Sequence, residues 1–143
     1  MMNMFLAGSF LYKVDAKGRI NIPSNFRSQI EPAVSLSGEG QMFYVTTDPE
    51  GCLNVFPENI FQDIASKMEG EIGSYLSPNP KMKTYVKVMA SAKPCRSDQQ
   101  GRIIVHKDQL EVADIKDQVL IVGLGQRMQL WNPSRYEVYI QSS

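Results

Sequence analysis

The sequence lacks most of what an enzyme or a membrane protein displays. Its 143 residues include one His and two Cys, too few and too scattered for a zinc site. There is no G-x-S-x-G, no P-loop and no dinucleotide-binding glycine pattern, so the common nucleophile and nucleotide signatures are missing. No apolar run approaches the roughly 20 residues of a membrane span. Phe5-Leu6-Ala7 is too short for a signal-peptide apolar region, and no basic residue precedes it. These absences point to a cytoplasmic protein that is not an enzyme, with no metal and no cofactor. Cys52 and Cys95 fall in strand-like segments and read as free buried thiols. His106 reads as a structural or surface residue.

Net charge is missing too. Lys and Arg number 15, as do Asp and Glu. A balanced total is a poor fit to a nucleic-acid protein, but the distribution is not balanced. Residues 9–27 hold Lys13, Lys17, Arg19 and Arg27 against Asp15 alone. Residues 81–107 hold Lys81, Lys83, Lys87, Lys93, Arg96, Arg102 and Lys107 against Asp98 alone. Residues 31–71 hold eight acids against Lys67. Screening over a Debye length of about 8 Å hides distant acids from a bound phosphate, so local clusters decide.

Both basic clusters surround the same motif. Asp15-Ala16-Lys17-Gly18-Arg19-Ile20 recurs 83 positions later as Asp98-Gln99-Gln100-Gly101-Arg102-Ile103. Asp first and Gly fourth suit a type I turn, with Asp accepting backbone N–H bonds and Gly taking positive φ. Such a turn commonly joins a hairpin, so Phe10–Val14 is expected to run in and Arg19–Ile22 to run out. In the second copy, residues 92–97 run in and Arg102–Val105 run out. Pro94 predicts an edge or bulged strand.

The echo extends beyond the turns. Each is followed by a short helix, over Pro23–Ile30 and His106–Val112, with Ser24 as N-cap of the first. Hairpins follow over 42–56 and 118–131. A helix then opens with Pro in its first turn, at Pro57 and at Pro133, with Asn132 as N-cap of the latter. The first of these helices is expected over 58–69, broken by Gly70-Glu71-Ile72-Gly73-Ser74. A further helix is expected between Lys81 and Ala92. The chain thus reads as two units, 1–72 and 81–143, joined by a linker at 73–80.

This arrangement resembles the MraZ family of bacterial transcriptional regulators. The likeness rests on Met4-Phe5, Asp15 to Arg19, Ile22-Pro23, Phe26-Arg27, Gly51-Cys52-Leu53, Asp98 to Arg102, Val122-Gly123 and Trp131. It implies an α+β fold, a pseudo-twofold β-barrel of two fused AbrB-like swapped-hairpin units with peripheral helices. It also implies a homo-oligomer, a ring of about eight subunits. Such a ring would bind double-stranded DNA at short direct repeats upstream of a cell-division and cell-wall operon, associated with the nucleoid. The sequence departs from the pattern at Leu6, where some members carry a basic residue, and at His106, where Pro is common. Gln100 stands where the first copy has Lys17, which favours the first turn for direct contact.

The expected DNA-binding residues are Lys13, Asp15, Lys17, Arg19 and Arg27, with Arg96, Asp98 and Arg102 in the second half. Arg19 would pair with guanine, Asp15 would hold the turn, and Lys13, Lys17 and Arg27 would meet phosphates. Two other readings compete. An AbrB-like antitoxin would have one DNA-binding unit and a toxin-binding tail. A protein-interaction module would show no salt-dependent DNA affinity.

Overall fold

The computed structural model describes residues 4–30, 40–73 and 79–142. Within these, strands β1 (Ser9–Lys13), β2 (Arg19–Asn21), β3 (Met42–Thr47) and β4 (Leu53–Pro57) belong to the first half. The second half supplies β5 (Lys93–Arg96), β6 (Arg102–Ile104), β7 (Gln118–Gly123) and β8 (Met128–Trp131). The helices are α1 (Ser24–Ile30), α2 (Glu58–Ile72), α3 (Lys81–Ser91), α4 (Lys107–Val112) and α5 (Pro133–Gln141). The class is α+β, as expected. A six-stranded sheet runs β1-β7-β8-β4-β3-β5, and β2 and β6 form a separate two-stranded ribbon.

The hairpins β3–β4 and β7–β8 form where the sequence placed them. Their turn chemistry explains the first. Asp48 Oδ1 accepts from the Glu50 N–H at 2.9 Å, and Gly51 takes φ 96°.

The two hairpins expected around the repeated turns do not extend beyond the turns themselves. The strand entering the first turn, β1, pairs with β7 of the other half. The strand entering the second, β5, pairs with β3. The outgoing strands β2 and β6 then pair with each other, Ile20 opposite Ile103. Each half therefore hands its outgoing strand to the other. The exchange goes with burial: Ile20 and Ile103 are each 1% exposed, and the cross-half ribbon places both in the shared core.

That core is continuous across the halves. It includes Phe26, Val45, Leu53, Val55, Val119, Ile121, Met128 and Leu130. Removing each such side chain from water contributes about 1.5–3 kcal/mol. At the seam Leu53 lies opposite Leu130, and Asn54 opposite Gln129. Asn54 is buried, so its polar atoms need partners. Its Oδ1 accepts from Gln129 Nε2 at 3.1 Å, and Gln129 Oε1 accepts from Trp131 Nε1 at 2.9 Å. Leu6 is 1% exposed and bridges Gly125, a core role that suits an apolar residue there.

Several local readings hold. Asn132 caps α5, its Oδ1 accepting from Ser134 N at 2.8 Å and Arg135 N at 3.1 Å. Pro94 lies on β5, an edge of the sheet. Cys52 and Cys95 are free and buried. Burial pushes the Cys52 thiol up to about 12 and the Cys95 thiol to about 11, which makes both inert at neutral pH. Two readings need correction. Helix α1 begins at Ser24 itself, with the Pro23 carbonyl accepting from Phe26 N and Arg27 N at 2.9 Å. Helix α2 runs through Gly70 to Ile72 and stops at Gly73, whose φ is 71°. A single Gly costs a helix only about 1 kcal/mol, so Gly70 does not end it. The linker expected at 73–80 lies largely outside the described residues.

Candidate nucleic-acid interface

The two repeated turns have matching geometry. In the first, Asp15 Oδ1 accepts from Lys17 N at 2.9 Å and Arg19 N at 2.8 Å, and Gly18 N donates to the Asp15 carbonyl at 3.0 Å. In the second, Asp98 Oδ1 accepts from Gln100 N and Arg102 N, both at 2.9 Å, and Gly101 N donates to the Asp98 carbonyl at 3.1 Å. Gly18 and Gly101 take φ 78° and 77°, a region open to Gly and costly to other residues. The turn reading of Asp and Gly is therefore correct, and each turn is closed by a backbone bond, Asp15 N donating to the Arg19 carbonyl at 3.3 Å and Asp98 N to the Arg102 carbonyl at 2.8 Å, before the strands part to other partners.

Each turn also fixes its arginine. Arg19 Nε pairs with Asp15 Oδ2, and Arg102 Nε pairs with Asp98 Oδ2 at 3.0 Å. The backbone N–H of Arg19 lowers the Asp15 carboxyl below its ordinary value, and the Arg19 side chain and Lys17 N–H add to this. For Asp98 partial burial acts upward, but the Arg102 N–H, the Arg102 side chain and the Gln100 N–H together outweigh it. Each guanidinium thus spends one N–H on its turn and keeps its Nη groups, which are suited to a bidentate acceptor.

The turns are joined through the ribbon. Val105 N donates to the Gly18 carbonyl and Ile22 N to the Gly101 carbonyl, both at 3.0 Å. From Gly18 to Ile22 is four residues, so the two turns stand about 13 Å apart along the ribbon. Side chains alternate across it. Ile20 and Ile103 face the core. Arg19, Asn21, Arg102 and Ile104 therefore share the outer face, Arg19 opposite Ile104 and Asn21 opposite Arg102.

The remaining expected residues lie around this ribbon unequally. Lys13 ends β1, and Lys13 and Lys17 are exposed on either side of Asp15. Arg27 does not join the first turn. It lies on α1 against the second, where a Cβ on Gly101 would collide with its Nε. The counterpart at the first turn is Leu110, whose Cδ1 would be 3.3 Å from a Cβ on Gly18. Each half's short helix thus covers the other half's turn. Arg96 sits on edge strand β5, its Nη1 donating to the Gly40 carbonyl at 2.8 Å.

Sequence reasoning did not single out Asn21 and Ile104. The alternation Arg19-Ile20-Asn21-Ile22 puts Arg19 and Asn21 on one face. In Arg102-Ile103-Ile104-Val105 an unbroken apolar run hides the alternation, and only the register shows Ile104 on the outer face. Among the described residues, no cluster of His, Cys, Asp or Glu could hold a metal ion, and no helix is long and apolar enough to cross a membrane.

Residues 5–73 and 88–143 match the model of a family described as "MraZ protein, putative antitoxin-like". The chain belongs to the MraZ family. Each matched stretch carries one repeated turn. This MraZ-family chain is 33% identical over 141 residues to the transcriptional regulator MraZ of Halothermothrix orenii, across 98% of this chain and 89% of that one. It is 34% identical over 142 residues to the protein of the same name from Pediococcus pentosaceus, with the same coverage. Identity to the one from Bifidobacterium longum is 31% over 137 residues, covering 94% of this chain and 82% of that one.

Proposed function

We propose that this protein is a sequence-specific, DNA-binding transcriptional regulator, acting in the cytoplasm on nucleoid DNA. The observation that carries this is the ribbon β2–β6, which presents Arg19 and Arg102 on one outer face, each held by its own turn. A major groove about 12 Å wide admits a two-stranded ribbon. The turns, about 13 Å apart, would then meet the phosphate backbone at either side. Arg19 and Arg102 would each reach guanine O6 and N7 through their Nη groups. Asp15 and Asp98 position them, while Lys13, Lys17, Arg27 and Arg96 supply positive charge to phosphates.

The reading extends to architecture and assembly. Residues 1–72 and 81–143 are two AbrB-like units, related by a pseudo-twofold axis and closed into a barrel, with strands swapped through the ribbon. A single ribbon reads few bases. A ring of about eight copies would engage several short direct repeats at once, and avidity would raise affinity by a factor of about 10²–10⁴. Its target is a repeat region upstream of a cell-division and cell-wall operon.

The test is a gel-shift titration on the protein's own upstream region, with light scattering on the same preparation. Tight binding is expected only when several repeats keep their natural spacing, with a particle several times the 16.1 kDa subunit. Equal affinity for single and multiple repeats would remove avidity. Equal affinity for unrelated DNA would remove the regulator assignment.

A further inference from the structure

The outer face of the β2–β6 ribbon differs at the two arginines, and the difference is chemical. Directly across from Arg19 stands Ile104, 54% exposed. Directly across from Arg102 stands Asn21, also exposed. The hydrogen-bond geometry of the two turns matches, so on the outer face of the ribbon the asymmetry lies in these two cross-strand neighbours. An isoleucine left in water between cations has no role in the core, which Ile103 already serves at 1% exposure.

Resting on the proposed DNA-binding function, we propose that Asn21 and Ile104 determine base specificity, so that both halves read one non-palindromic site. Directly opposed residues on antiparallel strands have Cβ atoms about 4.5–5.5 Å apart. Bases along one strand rise by about 3.4 Å. Each arginine and its neighbour therefore address the same or adjacent base pairs. Asn is suited to adenine, donating to N7 and accepting from N6. An exposed aliphatic side chain fits the C5-methyl of thymine, the apolar feature of the major groove. The ribbon would thus read a guanine and a thymine methyl at the Arg19 end, and a guanine and an adenine at the Arg102 end.

Two consequences separate this from a ribbon that uses its arginines alone. Two equivalent arginines on a reciprocal ribbon would favour a palindromic site. The Ile104/Asn21 difference gives the site a direction, which is what direct repeats require. Charge also decides between DNA and another copy of this ribbon as the occupant. Placing two such faces together would bring Arg19 and Arg102 against other arginines, whereas a groove lined by phosphates and base acceptors complements them.

The experiment uses the full chain and its repeat-containing duplex, measured by equilibrium binding with single-atom changes in the DNA. Replacing each thymine in turn by uracil removes one methyl. At one position the wild-type protein is expected to lose about four-fold in affinity, the value of one buried methyl. Ile104→Ala should bind the natural duplex more weakly and lose its response at that position. Replacing each adenine by 7-deazaadenine removes N7. One position should cost the wild type about five-fold or more, and Asn21→Ala should be indifferent there. Specific binding by the wild type with every uracil and deaza substitution neutral would overturn this proposal and leave the DNA-binding function standing. A response that persists unchanged in both variants would overturn it too. Absence of any preference for the repeat duplex would remove both.

Discussion

Arg27 lies against Gly101, at the turn of the other half, where the equivalent contact at Gly18 is made by Leu110. This exchange and the Lys17/Gln100 difference together distribute charge between the two turns. The first turn carries its own cation in Lys17 and is covered by an apolar side chain. The second has Gln100 at the matching position and receives a guanidinium from α1.

Replacing Arg27 by Leu should therefore leave the fold intact, because Leu fills the equivalent place at the first turn. DNA affinity should fall for all sequences alike. The slope of log affinity against log salt should become shallower by about one unit, as for one lost phosphate contact. An unchanged slope, measured by titration over a series of salt concentrations, would give Arg27 a purely structural role.

The turns predict an acid response. Asp15 and Asp98 both sit below their ordinary value of 3.8. A carboxyl lowered in the folded state contributes stability above its unfolded value and loses it as pH falls through the lowered one. The turns should thus be fully held at neutral pH and loosen only below pH 3.8. Carboxyl carbon NMR should show Asp15 rising in Arg19→Ala yet remaining below 3.8, because the backbone N–H at position 19, the largest cause, survives the substitution. A full return to 3.8 would assign the effect to the side chain instead.

Two glycines separate conformational need from mere presence. Gly18 has φ 78°, and a Cβ there would lie 3.0 Å from the Val105 carbonyl. Gly18→Ala should destabilise by about 1–2 kcal/mol. Gly70 lies in α2 with nothing within 4 Å of an added Cβ. Gly70→Ala should stabilise by about 0.5–1 kcal/mol. Thermal unfolding of both variants checks this, and equal shifts would contradict it.

Much of this was legible in the residues, for specific reasons. The turns declared themselves because Asp and Gly at fixed spacing serve one backbone geometry. The hairpins β3–β4 and β7–β8 were legible because their strands are joined by short turns. The partner of β2 was not. Alternation shows which face of a strand is buried, but it cannot say which strand lies beside it, and here the partner is 83 residues away. For the same reason sequence proximity points Arg27 to the first turn, whereas the strand exchange carries it to the second. Ile104 was hidden because an apolar residue beside Ile103 reads as core until the register places the two on opposite faces.

Sequence reading by the ribbon is proposed to rest on its turn-held arginines. The most direct test is fluorescence anisotropy of the repeat-containing duplex and a scrambled duplex, with wild type and Arg19→Ala, alongside thermal unfolding of each protein. Wild type is expected to prefer the repeats, and Arg19→Ala to lose about 5- to 150-fold on them. Binding to the scrambled duplex should change little, and the melting temperature should stay close to wild type. An equal loss on both duplexes, or a variant that melts far lower, would make Arg19 a general or structural residue and remove its role in reading sequence.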